Sequence, residues 1–360
     1  MEKKIQSRGG ALRYIISLCL LALLSQCTPK AVDRQVDSPC RLEQMTCHMV
    51  TTGSGTNDSD ITEKTVYTYD AAGQLVGQTD RTAYRYSPAD SSVSTTARVL
   101  MYDASGLLIS EAITSQDTDS GVVRNSTVRR VYTYANGRLA QATTDKLDYI
   151  GWQTKLVQTY THDEAGMLSQ RTDATTYPVI PTPGKPKYPD GFTQTWFYKN
   201  GQATDCVQQA GGQTTKPYTF QNGLITSALT SNSDQTRYTY DSQRRVVGVD
   251  YLTNGARTGY TELVYGPAKT PESSLPLFKG FPVVADPYGQ TGPTTAYRIY
   301  TLSSNGIVNL TSDWQTKYVL TGSGYVRESV AAITITRNSP KPLTYPIAMT
   351  INYVYSGGCD

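Results

Sequence analysis

VYTYDAAGQL, residues 66–75, decides how the rest of the chain is read. Tyr67 and Tyr69 alternate with Val66 and Thr68, so in an extended strand the rings share one face and the branched side chains the other. Asp70 to Gly73 then supplies a turn, and Leu75 brings an apolar residue back on its far side. That is one β-hairpin. The phrase returns as VLMYDASGLL (99–108), VYTYANGRL (131–139), TYTHDEAGML (159–168), TWFYKNGQA (195–203), PYTFQNGLI (217–225) and RYTYDSQRRV (237–246). A unit that recurs with period-2 alternation and its own turn predicts an all-β fold, an antiparallel β-meander of repeated hairpins forming a long, twisted or curled sheet.

The turns fall into two kinds. Asn136-Gly137, Asn200-Gly201 and Asn222-Gly223 read as two-residue turns with positive φ at both positions, whereas Asp70–Gly73, Asp103–Gly106 and Asp163–Gly166 form longer loops. Arg244 replaces the expected glycine of the seventh unit, which predicts a looser turn or a shifted register there. Leu75, Leu108, Leu139, Leu168 and Ile225 become the cross-strand partners of the aromatics. A second turn must lie between each pair of motif turns, near Ser87–Asp90, Asp117–Gly121, Ile150–Trp152, Ala210–Gly212 and Ser231–Asp234. The motif turns then share one rim of the meander, and the irregular turns share the other. The stretch TYPVIPTPGKPKYPDGF (176–192) has five prolines, cannot ladder, and becomes an inserted loop on the irregular rim. A second proline-rich segment, 265–293, interrupts the array before alternation resumes over 294–304, 307–320, 325–337 and 343–355, with Asn305-Gly306 marking another hairpin.

The N-terminus reads differently. Lys3, Lys4, Arg8 and Arg13 precede an apolar run, Tyr14 to Leu24, that is too short to span a bilayer as a helix, so residues 1–26 read as an export signal containing Cys19. The run closes on Ser25, Gln26 and Cys27 and resembles the lipobox of bacterial lipoproteins, with Gln26 where that motif has Gly, Ala or Ser. The resemblance implies lipid attachment at Cys27, a membrane anchor, and a place in the Gram-negative cell envelope at the outer membrane. An ordinary signal peptide with an incidental cysteine is the alternative. Residues 27–39 then form a tether, and residues 40–360 one β-repeat domain: repeats over 66–264, the proline-rich interruption, and C-terminal strands over 294–355.

Without residues 1–26, which carry four basic and one acidic residue, 29 basic residues face 29 acidic ones. A neutral chain has no electrostatic case for binding nucleic acid. Exported cysteines in an even set, Cys40, Cys47, Cys206 and Cys359, predict two disulfides. Seven extended steps would hold Cys40 and Cys47 ~23 Å apart, so each is expected to reach Cys206 or Cys359. Free thiols are the other possibility.

The unit Tyr-x-Tyr-Asp-x-x-Gly-x-Leu resembles the YD repeat of bacterial Rhs proteins and of shorter, toxin-less envelope lipoproteins, over residues 66–246. The large members wind such repeats into a shell, and the short ones imply a surface-presenting role. Asp286-Pro287-Tyr288-Gly289 matches the DPxG signature of those shells, but four residues in a Gly/Pro-rich loop match easily by chance.

Reactive constellations are sparse. His48 and His162 are the only histidines, and His162 occupies a motif aromatic position, where packing is its expected role. Asn57 to Asp60 lacks the glycine and glutamate of a calcium loop, and the aspartates at 70, 103, 163 and 241 serve turns. No catalytic residue, metal or cofactor is predicted. Trp152, Trp196, Trp314, Tyr177 and Tyr188 are the candidate binding residues, able to stack on a sugar or a partner protein where exposed, with packing as the competing role. The expectation is a non-catalytic lipoprotein that binds an envelope protein or a glycan. A glycan-acting enzyme is the alternative.

Overall fold

The computed structural model describes residues 40–51, 59–87, 90–119, 121–149, 153–177, 191–231, 233–269, 271, 278–279, 281–282, 285–288, 292–303, 306–337, 343–356 and 359, all within one compact unit. The signal, Cys27 and the tether lie outside them. The strands are β1 (Arg41–Thr51), β2 (Ser59–Tyr69), β3 (Leu75–Ser87), β4 (Asp90–Tyr102), β5 (Leu108–Asp119), β6 (Val122–Ala135) and β7 (Arg138–Leu147). There follow β8 (Gln153–His162), β9 (Leu168–Thr176), β10 (Phe192–Lys199), β11 (Gln202–Ala210), β12 (Gln213–Thr215), β13 (Tyr218–Gln221) and β14 (Leu224–Leu229). The last are β15 (Asp234–Tyr240), β16 (Val246–Thr253), β17 (Ala256–Tyr265), β18 (Thr294–Leu302), β19 (Val308–Leu320), β20 (Val326–Arg337) and β21 (Leu343–Ser356).

The fold is an all-β antiparallel meander in a single sheet. Sequence neighbours ladder from β1 to β12 and again from β13 to β21, while β1 also pairs with β21. The chain's two ends are therefore in the middle of the sheet. Its edges are β12, laddered to β11, and β13, laddered to β14. These are two halves of one crossing of the sheet, broken at Lys216-Pro217, where the proline nitrogen has no hydrogen to donate. The sheet curls so that β11 and β14 flank this one crossing: Lys216 pairs with Asp205 on β11, Leu229 N donates to Pro217 O at 2.7 Å, and Trp196 on β10 stacks on Tyr218 of β13 at 5.2 Å. The hydrogen-bonded ladder stays open at that break.

The motif face is the buried one. Leu75, Leu108, Leu139, Leu168 and Ile225 are all at most 4 % exposed, and Tyr69, Tyr102 and Phe220 pack beside them. At each motif the register slips by one residue just before the aromatic, so Tyr69 faces Leu75 and Tyr102 faces Leu108 while Thr68 faces Gly77. The bulge leaves one residue of the following strand, such as Val76 or Ile109, without a partner across the pair. The motif turns share one rim with Cys40 and Cys359, and the irregular turns share the other.

Several expectations need correction. The Arg244 turn is not loose: Asp241 N donates to Arg245 O at 2.9 Å and Arg244 N to Asp241 O at 3.0 Å, as in the Asp70 turn. Arg244 takes φ +62°, a left-handed conformation costing about 1 kcal/mol, and its guanidinium donates to Asn222 O at 3.0 Å. The hairpin at Gly306 is the longer kind, with Gly306 N donating to Ser303 O, and Asn254-Gly255 adds a two-residue turn that no motif announced. One disulfide forms, Cys40–Cys359, with Cα atoms 4.9 Å apart, while Cys47 and Cys206 are free thiols. The physical reason is topological: β1 and β11 are separated by nine strands, so Cys47 and Cys206 never meet.

Candidate functional site

The inner face carries a belt of charge beyond the aromatic rows. Glu111 on β5 is 1 % exposed and lies between Arg98 Nε at 2.6 Å and Arg130 Nη1 at 2.9 Å, with the Tyr132 hydroxyl donating at 2.9 Å. Burial works to raise the Glu111 pKa, yet the two guanidiniums and the phenol overcome it and hold the carboxyl below its usual range. Arg98 also lies over the Phe278 ring at 6.0 Å, and Phe281 meets Tyr132 edge-on at 5.3 Å. The proline-rich segment after β17 thus crosses the inner face, tied by Lys279 Nζ to Ser105 O, Ala285 N to Gly201 O and Ile225 N to Pro287 O. Farther round, Arg171 pairs with Asp173 at 2.9 Å and lies over Trp196 at 5.4 Å.

These arrangements position the segment rather than a substrate. Trp196 is 5 % exposed, enclosed by Arg171, Tyr218 and Phe220, so it is core and no platform. Trp314 is half-buried, donating Nε1 to Ser312 Oγ at 2.7 Å and meeting Tyr297 edge-on. Tyr177 is exposed where the 176–192 loop begins, whereas Trp152 and Tyr188 lie outside the described residues. The structure does not bring the five aromatics into one site.

Among the titratable groups, Glu63 on β2 stands apart. It is buried on the inner face, directly across from Cys47, and burial followed by the neighbouring Asp80 carboxylate pushes its pKa to about 7. Burial also raises both free thiols to about 12. His48 is on the outer face, 2.9 Å from Asp60, and His162 packs beside Leu168, its pKa lowered by burial and by Arg138. Asp286 accepts from the Tyr288 amide at 2.8 Å, a turn contact. Among the described residues no three His, Cys, Asp or Glu side chains converge as a metal site needs.

The exposed chemistry is on the rim opposite the motif turns. Val122 and Val123 at the β5–β6 turn and Tyr149 after β7 are 53–59 % exposed, Leu147 is 42 % exposed, and Arg124 lies over the Tyr149 ring at 5.5 Å. Tyr177 adds a further ring on this rim. Two valines following a turn glycine, Gly121, where polar residues are usual, were the signal available in the sequence; the repeat pattern drew attention to the opposite rim. Between the rims the outer face is polar, with Thr62 and Lys64 on β2, Asn125, Thr127 and Arg129 on β6, and Gln315 and Lys317 on β19 all exposed. A lipid-facing barrel wall would carry apolar side chains at those positions.

No protein-family profile matches the chain, and no curated protein matches its sequence. Solved structures give loose likenesses. A porin-like protein from Bacteroides uniformis is 11 % identical with a TM-score of 0.35, covering 88 % of this chain and 96 % of its own. The Acinetobacter baumannii outer membrane protein Omp33 is 7 % identical with a TM-score of 0.30, covering 87 % and 98 %. TcdB2-TccC3 is 14 % identical with a TM-score of 0.24, covering 80 % of this chain and 18 % of its own. At these scores none transfers a role to this chain.

Proposed function

We propose that this chain is a cell-envelope lipoprotein of a Gram-negative bacterium, held at the outer membrane through lipid on Cys27, whose YD-like β-repeat domain presents a surface to an envelope protein or glycan and catalyses nothing. The carrying observation is the rim formed by Val122, Val123, Leu147 and Tyr149, which exposes apolar and aromatic side chains opposite the rim where Cys40 begins the domain. Apolar side chains exposed together along one rim are a feature that binding explains. In-cell crosslinking of a tagged chain tests the reading. One stoichiometric protein, or a retained polysaccharide, lost on Tyr149→Ala with Val123→Ser, is expected; capture unchanged by those substitutions overturns it.

A glycan-acting enzyme is the second reading, and Glu63 favours it. A carboxyl whose pKa burial and then Asp80 raise to about 7 has the protonation state that a general acid needs. Polysaccharide turnover by the purified chain, abolished by Glu63→Gln, would establish this alternative; no turnover across envelope and plant polysaccharides closes it.

A further inference from the structure

Along one arc of the outer face near the motif rim, exposed apolar side chains alternate with polar ones that include Thr68, Thr133, Glu262 and Lys317. Met101 and Val99 on β4, Val131 on β6, Val264 on β17, Val319 on β19 and Val354 on β21 point outward and are 36–57 % exposed. Each lies within four residues of its strand's end at the motif rim, a height of ~13 Å. In sheet order the strands that bear them run from β17 through β21, β1 and β2 to β6, so β1 is the centre of the arc. On the remaining arc the same height carries Thr161, Thr219, Arg237 and Thr239, with Phe197 and Met167 the exposed apolar exceptions.

The chain outside the described residues joins this arc at its centre. Cys40 precedes β1 at the motif rim and is fixed there to Cys359. Twelve residues lie between it and Cys27, a reach of at most ~45 Å. A lipid at Cys27 therefore tethers the domain at the motif rim, where Cys40 leads into β1. A band ~13 Å high, with Lys64 and Arg129 above it and Glu262 and Lys317 within it, is too low to span a bilayer and is comparable with the ~10 Å depth of the headgroup and acyl boundary.

We propose that this arc, Val99, Met101, Val131, Val264, Val319 and Val354, is a lipid-contacting surface that seats the motif rim on the membrane and turns the Tyr149 rim away from it. The orientation rests on lipid attachment at Cys27, proposed above, but the contact itself does not require the anchor. Six half-exposed apolar side chains give weak, reversible binding of the kind a single acyl chain reinforces.

The test uses the chain from residue 27 with Cys27→Ser, floated with vesicles of phosphatidylethanolamine and phosphatidylglycerol. A measurable fraction floats, and Val99→Lys with Met101→Lys and Val264→Lys lowers the partition coefficient at least about tenfold. Tyr149→Lys leaves it unchanged. Val319→Lys with Val354→Lys, on β19 and β21, gives the same loss if the first set fails to fold by circular dichroism. A parent chain that stays with the dense fraction, or lysine variants that float like the parent, overturn the proposal. Alkyne-palmitate labelling of the natural chain and of Cys27→Ser in cells reads the anchor separately, so a missing label refutes lipidation without touching the flotation result.

Discussion

The Tyr102 hydroxyl donates to the Leu75 carbonyl at 2.7 Å, joining the end of β4 to the beginning of β3 at the motif rim. Tyr69 does the same to Leu42, Tyr134 to Leu108, Tyr240 to Ile225, Tyr265 to Val246, Tyr318 to Thr294 and Tyr355 to Val326. The pattern has a geometric logic. The motif turn joins β4 covalently to β5, but β3 and β4 are connected only at the far rim, and the phenol closes the open end of that pair. The repeated tyrosine is thus a clasp as well as a core residue, and burial holds the Tyr69, Tyr102 and Tyr134 phenols up at about 12.

Tyr102→Phe is expected to cost about 1 kcal/mol, the net worth of one buried hydrogen bond plus the stranded carbonyl. His162 fills the clasp position at the end of β8, opposite β7, without a phenol. His162→Tyr should restore the bond to the Leu139 carbonyl and stabilise by a similar amount. Urea unfolding measures both, and equal midpoints for Tyr102→Phe and the parent would remove the clasp from the account.

Glu63 predicts a pH dependence with a definite sign. Its folded pKa of about 7 exceeds the ordinary 4.5, so between those values the folded chain binds the extra proton. Stability is therefore full below pH ~4.5, falls as pH rises, and is lower by about 3 kcal/mol above pH ~7. Glu63→Gln should flatten that stretch of the curve and raise the melting temperature at pH 8. A parent chain that gains stability between pH 5 and 7.5 would show the assignment to be wrong.

Glu111 should behave in the opposite way. Glu111→Ala leaves Arg98 and Arg130 without their buried partner and is expected to cost about 3 kcal/mol or more. The Arg257–Asp250 pair, both partners well exposed, should cost under about 1 kcal/mol when broken by Asp250→Ala. Similar losses from the two substitutions would mean that the belt is solvated.

The Cys40–Cys359 bridge closes a separation of 319 residues. By chain entropy its removal through Cys40→Ser with Cys359→Ser costs up to about 5 kcal/mol. Cys47 and Cys206, with thiols raised to about 12 by burial, should resist iodoacetamide until the chain unfolds. Rapid alkylation of either in the native chain would contradict its burial.

What was legible in the sequence was local. Tyr67, Tyr69 and Leu75 lie within one hairpin, so alternation and turn chemistry alone placed them on one face, and the paired rims followed from the spacing of Gly73, Gly106 and Gly137. The clasp from Tyr69 to Leu42 spans 27 residues and depends on a register that the bulge sets, which no local pattern encodes. The same holds for Glu111, an unremarkable strand residue until β4 and β6 bring Arg98 and Arg130 to it. For the proposed surface, the proline stretch falls on the same rim, but Val122, Val123 and Tyr149 belong to no repeat. Trp196 was one of five aromatics able to stack on a ligand, and its neighbours on β13 bury it.

The break at Pro217 has one more consequence. A sheet this wide would ordinarily present two long rows of unpaired amides and carbonyls to any passing strand. Among the described residues the edges are β12 and β13, three and four residues long, and they follow each other end to end through Lys216-Pro217. The first and last strands, which as edges would invite stacking of chain upon chain, are instead locked to one another. The molecule is thereby protected against growing into fibrils, and its capacity for association is left to its rims and outer wall.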